Sequence, residues 1–352
     1  MSLPTEIKQW ITNQDGLENL HLTTAPLPQP GADEVLVKIS TVSLNYRDTE
    51  VCMGLYGHHK SVTQSTSLVP CSDMAGTIIT SHTPLFRPGD RVLSIFNQTH
   101  QSGQIQLSDM ASGLGLPLPG VLAQYRVFPA HGLVRCPDYL SDEEACTLPI
   151  AAVTAWTSLN WMRPLGHPVE EGTVLLQGTG GVSVAGLQIA HALGLRTIVT
   201  SSSDEKLARA RELGADCGIN YRTRPDWDAE VLRFTEERGA DVILETGGAM
   251  TLRRSFECVA FGGLISCIGY LSGKEDAEGE RLNTNVLALK RNVTLKGILN
   301  GGKDRFEEML GFYEDKGIRP VVDRVFAFGE AREALRYLFT GGHFGKVVIR
   351  IE

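Results

Sequence analysis

Residues Thr173–Ser183 read TVLLQGTGGVS, and this stretch decides the fold. An apolar run, Val174, Leu175 and Leu176, meets three glycines, Gly178, Gly180 and Gly181. The next segment carries Val182, Ala185, Ile189 and Leu193 at helical spacing and closes on Gly194. Strand, tight turn and helix are the context in which a glycine cluster reads as a dinucleotide-binding turn. Glycine lets the backbone approach a pyrophosphate, and a helix N-terminus offers unpaired N–H groups and a partial positive charge. The candidate cofactor contacts here are Gly178, Thr179, Gly180, Gly181 and Val182. Ser183 stands where a third glycine is expected, a position that normally permits close helix–strand packing.

The pattern continues on either side of the turn. From about residue 150 the chain alternates strands with helices. Strands are predicted at 173–177, 196–201, 217–220, 241–245, 263–270 and 293–298, and helices at 181–193, 204–213, 227–238 and 250–259. Asp204 and Asp226 are candidate N-caps, and Gly194, Gly214 and Gly239 candidate helix ends. Such alternation implies a doubly wound parallel sheet covered on both faces. The first 150 residues read instead as β-rich, with alternating runs at Val35–Ile39 and Thr77–Thr80, short strands at Arg91–Ile95 and Tyr125–Val127, and Pro-Gly turns. Residues 97–120 are polar, glycine-rich and poorly periodic, which predicts a lid or a disordered insertion. After 299 come helices at 304–315 and near 329–340 and a last strand, Lys346–Ile351. Six strands already complete the doubly wound sheet, so this tail is expected to return to the first domain. The expected fold class is α/β with two domains, residues 1–149 with 299–352 and residues 150–298.

Composition narrows the function classes. The 352 residues carry 33 Lys and Arg against 41 Asp and Glu, a net charge of −8, and the basic residues are scattered. That argues against nucleic acid or an anionic membrane as partner. The opening MSLPTEIKQW has no signal-peptide pattern, and no apolar run approaches ~18 residues, so a cytoplasmic protein is expected. Seven cysteines lie far apart with no CxxC pair, as expected of reduced, mostly buried thiols.

Eight segments in order, SLNYRD (43–48), PCSDMAG (70–76), FRPGDRV (86–92), LPIAAVTAW (148–156), LLQGTGGVS (175–183), RARELGAD (209–216), INYR (219–222) and GKVVIRI (345–351), resemble the medium-chain dehydrogenase/reductase superfamily. The resemblance spans nearly the whole chain and is strongest to its zinc-type alcohol dehydrogenase-like and quinone oxidoreductase branches. It implies a GroES-like catalytic domain followed by a Rossmann domain. Zinc-dependent members need Cys or His at three catalytic positions, because Zn²⁺ takes sulfur or imidazole ligands and keeps one site open. Those positions fall on Asn45, Ser72 and Ile150, and residues 97–120 hold none of the four cysteines of a structural zinc lobe. The resemblance therefore implies a zinc-independent member. Cys71, Asp73 and the His58-His59 pair are what an improvised metal site would draw on.

Cofactor choice turns on the end of the second strand. NAD-specific domains carry an acid there for the ribose 2′-hydroxyl; this chain has Ser201, followed by Ser202. A serine can donate to a 2′-phosphate that an acid would repel. Lys206 and Tyr221 match positions that hold phosphate and adenosine in NADPH-using quinone oxidoreductases, so NADPH is the expected cofactor. Asp204 and Glu205 fit as acids of a first helical turn. Thr154, Gly247, Gly269 and Gly345, with Lys346 beside it, occupy places where the family approaches nicotinamide and its ribose.

Without a metal, the charge that builds on a hydride acceptor must be met by hydrogen-bond donors or a general acid. Tyr56 matches the proton-donating tyrosine of metal-free enoyl-thioester reductases. Asn45 stands in the vacated ligand place, suited to an oxyanion or the nicotinamide ribose. Tyr46 and Arg47 replace residues that relay protons or touch cofactor phosphates, and Asp48 is expected to pair with Arg91 or another cation. Val51 falls where a relay histidine would stand. An activated C=C bond or a quinone is the expected acceptor, with Leu114, Leu116 and Leu118 as candidate pocket walls. A carbonyl reductase or alcohol dehydrogenase is the alternative, and a non-enzymatic NADPH-binding protein a second. Leu264–Tyr270 reads as an apolar edge strand that would pair across a two-fold axis, so a homodimer is expected.

Overall fold

The chain forms two compact units, Met1–Val153 with Gly301–Glu352, and Thr154–Asn300, both boundaries a short way past those read from the sequence. The structure is a computed structural model that describes residues 3–57, 67–161, 163–276 and 281–351.

In the second unit, six strands lie in the order Cys217–Asn220, Arg196–Ser201, Thr173–Gln177, Ala240–Glu245, Val259–Cys267 and Thr294–Gly297. Every neighbouring pair is parallel. This is the Rossmann order, with the reversal beside the central strand Thr173–Gln177. That strand is buried throughout, which is why its sequence reads as a continuous apolar run. Gly194 and Gly214 end their helices at φ +76° and +98°, but the helix Trp227–Phe234 stops five residues short of Gly239, which at φ +88° leads into the next strand. The second helix is capped by Ser203, whose side chain accepts from Lys206 N–H, so Asp204 is its first helical residue and not the cap. Asp226 occupies an N-cap position without a side-chain cap bond; its carboxylate pairs with Arg254 at 3.1 Å.

The helix after the glycine turn, Gly181–Ala192, buries Ile189 as expected, together with Val184, but otherwise buries a stripe shifted from the one expected. Val182 and Ala185 are half-buried, whereas Ser183, Gly186, Leu187 and Ala190 face the core. Gly186 explains the rotation. A Cβ there would stand 2.8 Å from Leu176 Cδ2 and 3.1 Å from Leu244 Cδ2, so the helix lies against the sheet where it has no side chain.

The first unit is built on a seven-stranded sheet. Its path runs Val322–Ala327, Lys346–Arg350, Glu34–Leu44, Asp73–Ser81, Arg91–Ser94, Leu133–Arg135, and Tyr125–Pro129 also pairs with Glu34–Leu44. The tail does return: Val347 pairs with Leu44 and Ile349 with Val42. Helix Ala331–Phe339 brings Ala331, Ala334, Leu335 and Leu338, at helical spacing, into one core with Val347 and Ile349. Glu34–Leu44 does not alternate as expected: Val35, Leu36 and Val37 are all buried, because the strand is covered on both faces.

Residues 97–120 are a packed lobe, neither lid nor disordered insertion. Asn97 Nδ2 donates to Asp109 O at 2.9 Å, Thr99 Oγ1 to Asp109 Oδ1 at 2.8 Å, and Asn97 pairs with Gly113. Side-chain-to-backbone bonds hold the segment, which is why it shows no hydrophobic period. Leu114 and Leu116 are buried within it, so they pack the domain's interior and do not wall an open pocket.

Candidate active site

In the second unit, Gly178 takes φ +77°, and a Cβ there would meet nothing within 4 Å. The turn is open above the helix N-terminus, as a diphosphate requires. Ser183 does the third glycine's work differently: its Oγ donates to Gln177 O at 2.6 Å, tying the helix to the strand end, while Gly186 supplies the close approach.

Ser201 ends the second strand, where no carboxylate stands. Its Oγ accepts from Ser203 N–H at 3.3 Å, and its carbonyl accepts from Tyr221 N–H at 3.0 Å. The structure thereby gathers Ser201, Ser202, Lys206 and Tyr221 at neighbouring strand ends, with the Tyr221 ring exposed. Asp204, the nearest acid, is turned to Asn220, whose Nδ2 donates to it at 2.9 Å.

Gly247 and Gly269 lie on facing loops: Ser272 N–H donates to Gly247 O at 2.7 Å, and a Cβ on Gly269 would meet Thr246 O at 2.9 Å. A carboxylate that sequence reasoning missed holds this arrangement. Glu245, 1% exposed, accepts from Gly247 N and Gly248 N at 3.0 Å each, from Gln177 Nε2 at 2.7 Å, and from the hydroxyls of Thr251 and Ser255. So many donors satisfy the hydrogen-bonding demand of a buried carboxyl group. Its one sequence signal is a charge closing the apolar strand ADVILE. Thr154 is buried, with its hydroxyl donating to Asn300 at 3.3 Å. These groups suit a dinucleotide: free N–H groups and glycine clearance for its diphosphate, donors for an adenosine phosphate, and glycine loops for the nicotinamide end.

In the first unit, Asn45 precedes the short helix Tyr46–Cys52, and its N–H donates to Asp48 Oδ2 at 2.8 Å. Lys346 opens the last strand beside it. Its Nζ donates to Asn45 Oδ1 and to Leu44 O, both at 2.6 Å. Asp73 accepts from Ser72 Oγ at 2.7 Å and from Ile150 N at 3.1 Å. The three positions aligned with zinc ligands and one lysine thus form one buried network. Burial lowers the Lys346 ammonium from its ordinary value, against the pull of Asp73 and Asp48. Burial raises the Asp73 carboxyl, with Lys346 restraining the shift. Lys346, expected on the cofactor, therefore has its ammonium engaged inside its own unit. Gly345, at φ +83°, lets the backbone pass Val321, whose carbonyl would lie 2.6 Å from an added Cβ.

Zinc does not fit this donor set. Ile150 has no ligating side chain, Ser72 and Asn45 are hard, neutral donors engaged elsewhere, and an ammonium already contacts Asn45 Oδ1. Among the described residues no group of three His, Cys, Asp or Glu is placed to hold a metal. His58 and His59 lie outside the described residues.

Three further placements differ from expectation. Arg47 donates to the carbonyls of Leu114 at 3.1 Å and Leu116 at 2.6 Å, and its guanidinium lies 4.7 Å from the Tyr56 ring centre and 4.8 Å from that of Phe96. It clamps the 97–120 lobe, an engagement that leaves it poorly placed for a cofactor phosphate. Tyr46 stacks on Phe339 at 6.3 Å, and burial, then the Glu50 charge, push its hydroxyl above the ordinary value, which disfavours proton relay. Arg91 pairs with Asp142 at 2.6 Å, not with Asp48. Tyr56 is half-buried against Val51, Leu68 and Leu116, its ring fixed beneath Arg47. The seven cysteines are free thiols, five of them buried, and burial pushes Cys52 up to about 12. No helix among the described residues is long and apolar enough to cross a membrane.

Comparison with known proteins agrees with this architecture. Residues 31–138 match the alcohol dehydrogenase GroES-like domain, and residues 181–315 match the zinc-binding dehydrogenase family. A zinc-type alcohol dehydrogenase-like protein of Schizosaccharomyces pombe is 40% identical over 346 residues, covering 96% of each chain. A Sinorhizobium meliloti crystal structure described provisionally as an alcohol dehydrogenase superposes with a TM-score of 0.88 at 38% identity, covering 99% of this chain and 100% of that one. A Pseudomonas syringae quinone oxidoreductase superposes with a TM-score of 0.79 at 25% identity, covering 98% and 99%. With both domains, their order and a relative matched from end to end, the chain belongs to the medium-chain dehydrogenase/reductase superfamily of oxidoreductases.

Proposed function

We propose that the protein is a zinc-independent, NADPH-dependent reductase that delivers hydride to an activated C=C bond, in an enone or enoyl compound, or to a quinone. The observation that carries this reading is the network at the three ligand-equivalent positions, where Asn45, Ser72 and Ile150 surround no metal-binding donor set and Lys346 supplies a cation instead. Bound NADPH supplies a hydride from its dihydronicotinamide. Gly178, Thr179, Gly180, Gly181 and Val182 would hold its diphosphate, Ser201, Ser202, Lys206 and Tyr221 its adenosine phosphate end, and Gly247, Gly269 and Thr154 its nicotinamide end. Ser201 in place of an acid supports NADPH over NADH.

Reduction of a polarised C=C bond puts negative charge on a carbonyl oxygen, which a fixed neutral donor can meet. Tyr56 is the candidate proton donor. Alcohol oxidation asks for more, because the hydroxyl must lose its proton without a Lewis acid. Val51, at the place of a relay histidine, is buried among Leu68 and Leu116. The names of several relatives keep reduction of a simple ketone as the second reading.

The test is oxidation of NADPH and of NADH by EDTA-treated protein with an alkyl enone, a quinone, a 2-enoyl-CoA and a simple ketone. Metal-free turnover of one of the first three, with NADPH preferred, is expected. Activity confined to the ketone or to alcohols and lost with EDTA overturns the reading, and NADPH binding without turnover of any acceptor favours a binding protein.

A further inference from the structure

In the second unit, the N-terminal ends of the strands Ala240–Glu245 and Val259–Cys267 border a cavity of about 570 Å³. Its lining sets Arg238, Lys290 and Arg291 against Glu237 and Asp241, and its one large apolar side chain is Phe261. The chain leaves the sheet to place that ring. Ala240 pairs with Val259 and Val242 with Leu264, so a single residue, Asp241, stands opposite Ala260–Gly263. The excess loops out as a bulge, a device that re-aims a side chain. An added Cβ on Gly263 would stand 2.7 Å from Val259 Cγ2 and 3.1 Å from the Asp241 carbonyl oxygen, so the base of the loop is pinned. Phe261 is 77% exposed, and its ring packs on no other ring or cation among the described residues.

Two of the three cations have counter-charges. Arg238 pairs with Asp241 at 2.7 Å, and Lys290 with Glu257 at 2.6 Å. Arg291 differs: its Nη1 donates to Val259 O at 3.0 Å, and no carboxylate among the described residues pairs with it. That bond anchors the guanidinium and leaves its Nε–Nη2 edge, the fork that matches two oxygens of a carboxylate or phosphate. The wall beside Arg238 is strained. Glu236 and Glu237 take φ +53° and +64°, a left-handed conformation that glycine adopts freely and glutamate does not. Such residues persist where their surroundings over-determine them, and they cluster at binding sites.

We propose that this cavity is a second ligand site, for an oxyanion carried on a flat apolar ring: the Nε–Nη2 edge of Arg291 takes the carboxylate or phosphate, and Phe261 stacks on the ring. The volume lies in the range of small-molecule sites and admits a single ring with its anionic group. An aromatic face exposed to water gains by covering, and an offset ring covers it best. Arg238 and Lys290 add positive potential, while Glu237 is the lining charge that opposes an anion without a cation of its own. The glycine turn follows Gln177 at the C-terminal end of its strand, the opposite end of the same parallel sheet, so this occupant is not the dinucleotide proposed above. Whether the chain reduces a C=C or a C=O bond does not alter the site.

The test is ligand-observed NMR titration of the full chain with phenyl phosphate, benzoate, inorganic phosphate and benzyl alcohol, with and without saturating NADPH. Phenyl phosphate or benzoate is expected to bind about tenfold tighter than inorganic phosphate or benzyl alcohol, each of which offers only one of the two contacts. The tighter of the two ring anions tells a phosphate site from a carboxylate site. NADPH is expected to change that affinity less than about twofold, as for separate sites. Phe261→Ala removes an exposed ring and should weaken the ring anion about tenfold while leaving inorganic phosphate unchanged. Arg291→Gln should weaken both by about tenfold or more, and Glu237→Gln should tighten both about two- to fivefold. If Arg291→Gln does not fold, the two exposed positions still decide. No saturable binding of either ring anion by about 10 mM overturns the proposal, as does displacement by NADPH or an affinity that Phe261→Ala leaves unchanged. If NADPH itself does not bind, the cofactor reading fails, and this site is judged by the ring-anion titrations alone.

Discussion

Asp48 and Asp73 place two carboxyl groups near one ammonium where water does not reach, and the pH response of the fold follows from that choice. Asp48 is 1% exposed, and burial pushes its carboxyl up to about 7, against the pull of its hydrogen bond from Asn45 and of Arg47 and Lys346. Asp73, Cys52 and Cys71 are the other titratable groups coupled to it. The folded protein therefore keeps the Asp48 proton at pH values where the unfolded chain has lost it. Its contribution to stability is complete below about pH 4 and is lost as pH rises through about 7, by up to ~1.4 kcal/mol per pH unit between. Asp48→Asn keeps an acceptor for the Asn45 N–H and removes the titration. Relative to wild type, this variant is expected to gain stability progressively between about pH 4 and 7, read as the difference of urea midpoints. Coincident pH profiles would show that Asp48 is ionised in the folded state. Side-chain chemistry alone told that Asn45, Ser72 and Ile150 make poor zinc ligands, so that much was legible beforehand. The partner of Asn45 was not, because Lys346 lies 301 positions away and only the return of the last strand brings it there. Arg47 and Arg91 were misplaced for the same reason: a long cation has many nearby acceptors in sequence terms, and tertiary contact chooses among them.

Elements were legible where each could be read from its own neighbourhood. The strands Thr173–Gln177, Arg196–Ser201 and Cys217–Asn220 fall where the apolar runs and glycine stops put them. Helix Thr284–Arg291 was missed because it buries no residue and so has no apolar stripe to betray it. Strand Val322–Ala327 was missed because Asp323 and Arg324 interrupt its apolar residues. In the glycine-turn helix Ile189 is buried where expected but Val182 and Ala185 give way to Ser183 and Gly186, since spacing marks a periodic face but not the closest point of packing. Gly186 is that point, and the distinction is measurable. Gly186→Val would press branched methyls into Leu176 and Leu244, and a loss of about 1–3 kcal/mol in stability is expected. Gly186→Ala sets a helix-propensity gain of about 1 kcal/mol against a milder clash and should come out near neutral. Gly178→Ala meets no neighbour, yet its φ of +77° costs a side chain about 1–2 kcal/mol. The two positions separate in NADPH binding: Gly178→Ala weakens it, and Gly186→Val, if folded, leaves it near wild type. Equal effects on binding would mean that the turn is not where the diphosphate sits.

At the scale of the whole molecule the open question is what meets the free edge of the Rossmann sheet. Leu264–Tyr270 was expected at that edge, but Val259–Cys267 lies inside the sheet, hydrogen-bonded to both Ala240–Glu245 and Thr294–Gly297. The edge belongs to Thr294–Gly297, the strand predicted at 293–298, so the sequence placed the strand and mistook its neighbour for the edge. Beside it stands Thr284–Arg291, with Val286 57% and Leu289 81% exposed, and Leu295 and Leu299 are exposed on the edge segment itself. An open edge flanked by large apolar side chains is a surface that proteins normally cover, and a second copy of the chain can cover it symmetrically by pairing edge to edge. We expect a homodimer through this strand, so that two six-stranded sheets become one. Wild-type protein should sediment at twice its 38.3 kDa chain mass. Leu289→Glu with Leu295→Lys adds a charge to each side of the pairing without touching a buried residue, and should return the protein to a monomer that keeps its fold and its NADPH affinity. A wild-type monomer at all concentrations tested, or a double variant that stays dimeric, would place the contact elsewhere and leave the edge guarded only by its shortness and by Lys296, whose ammonium lies 4.1 Å from the Trp161 ring centre.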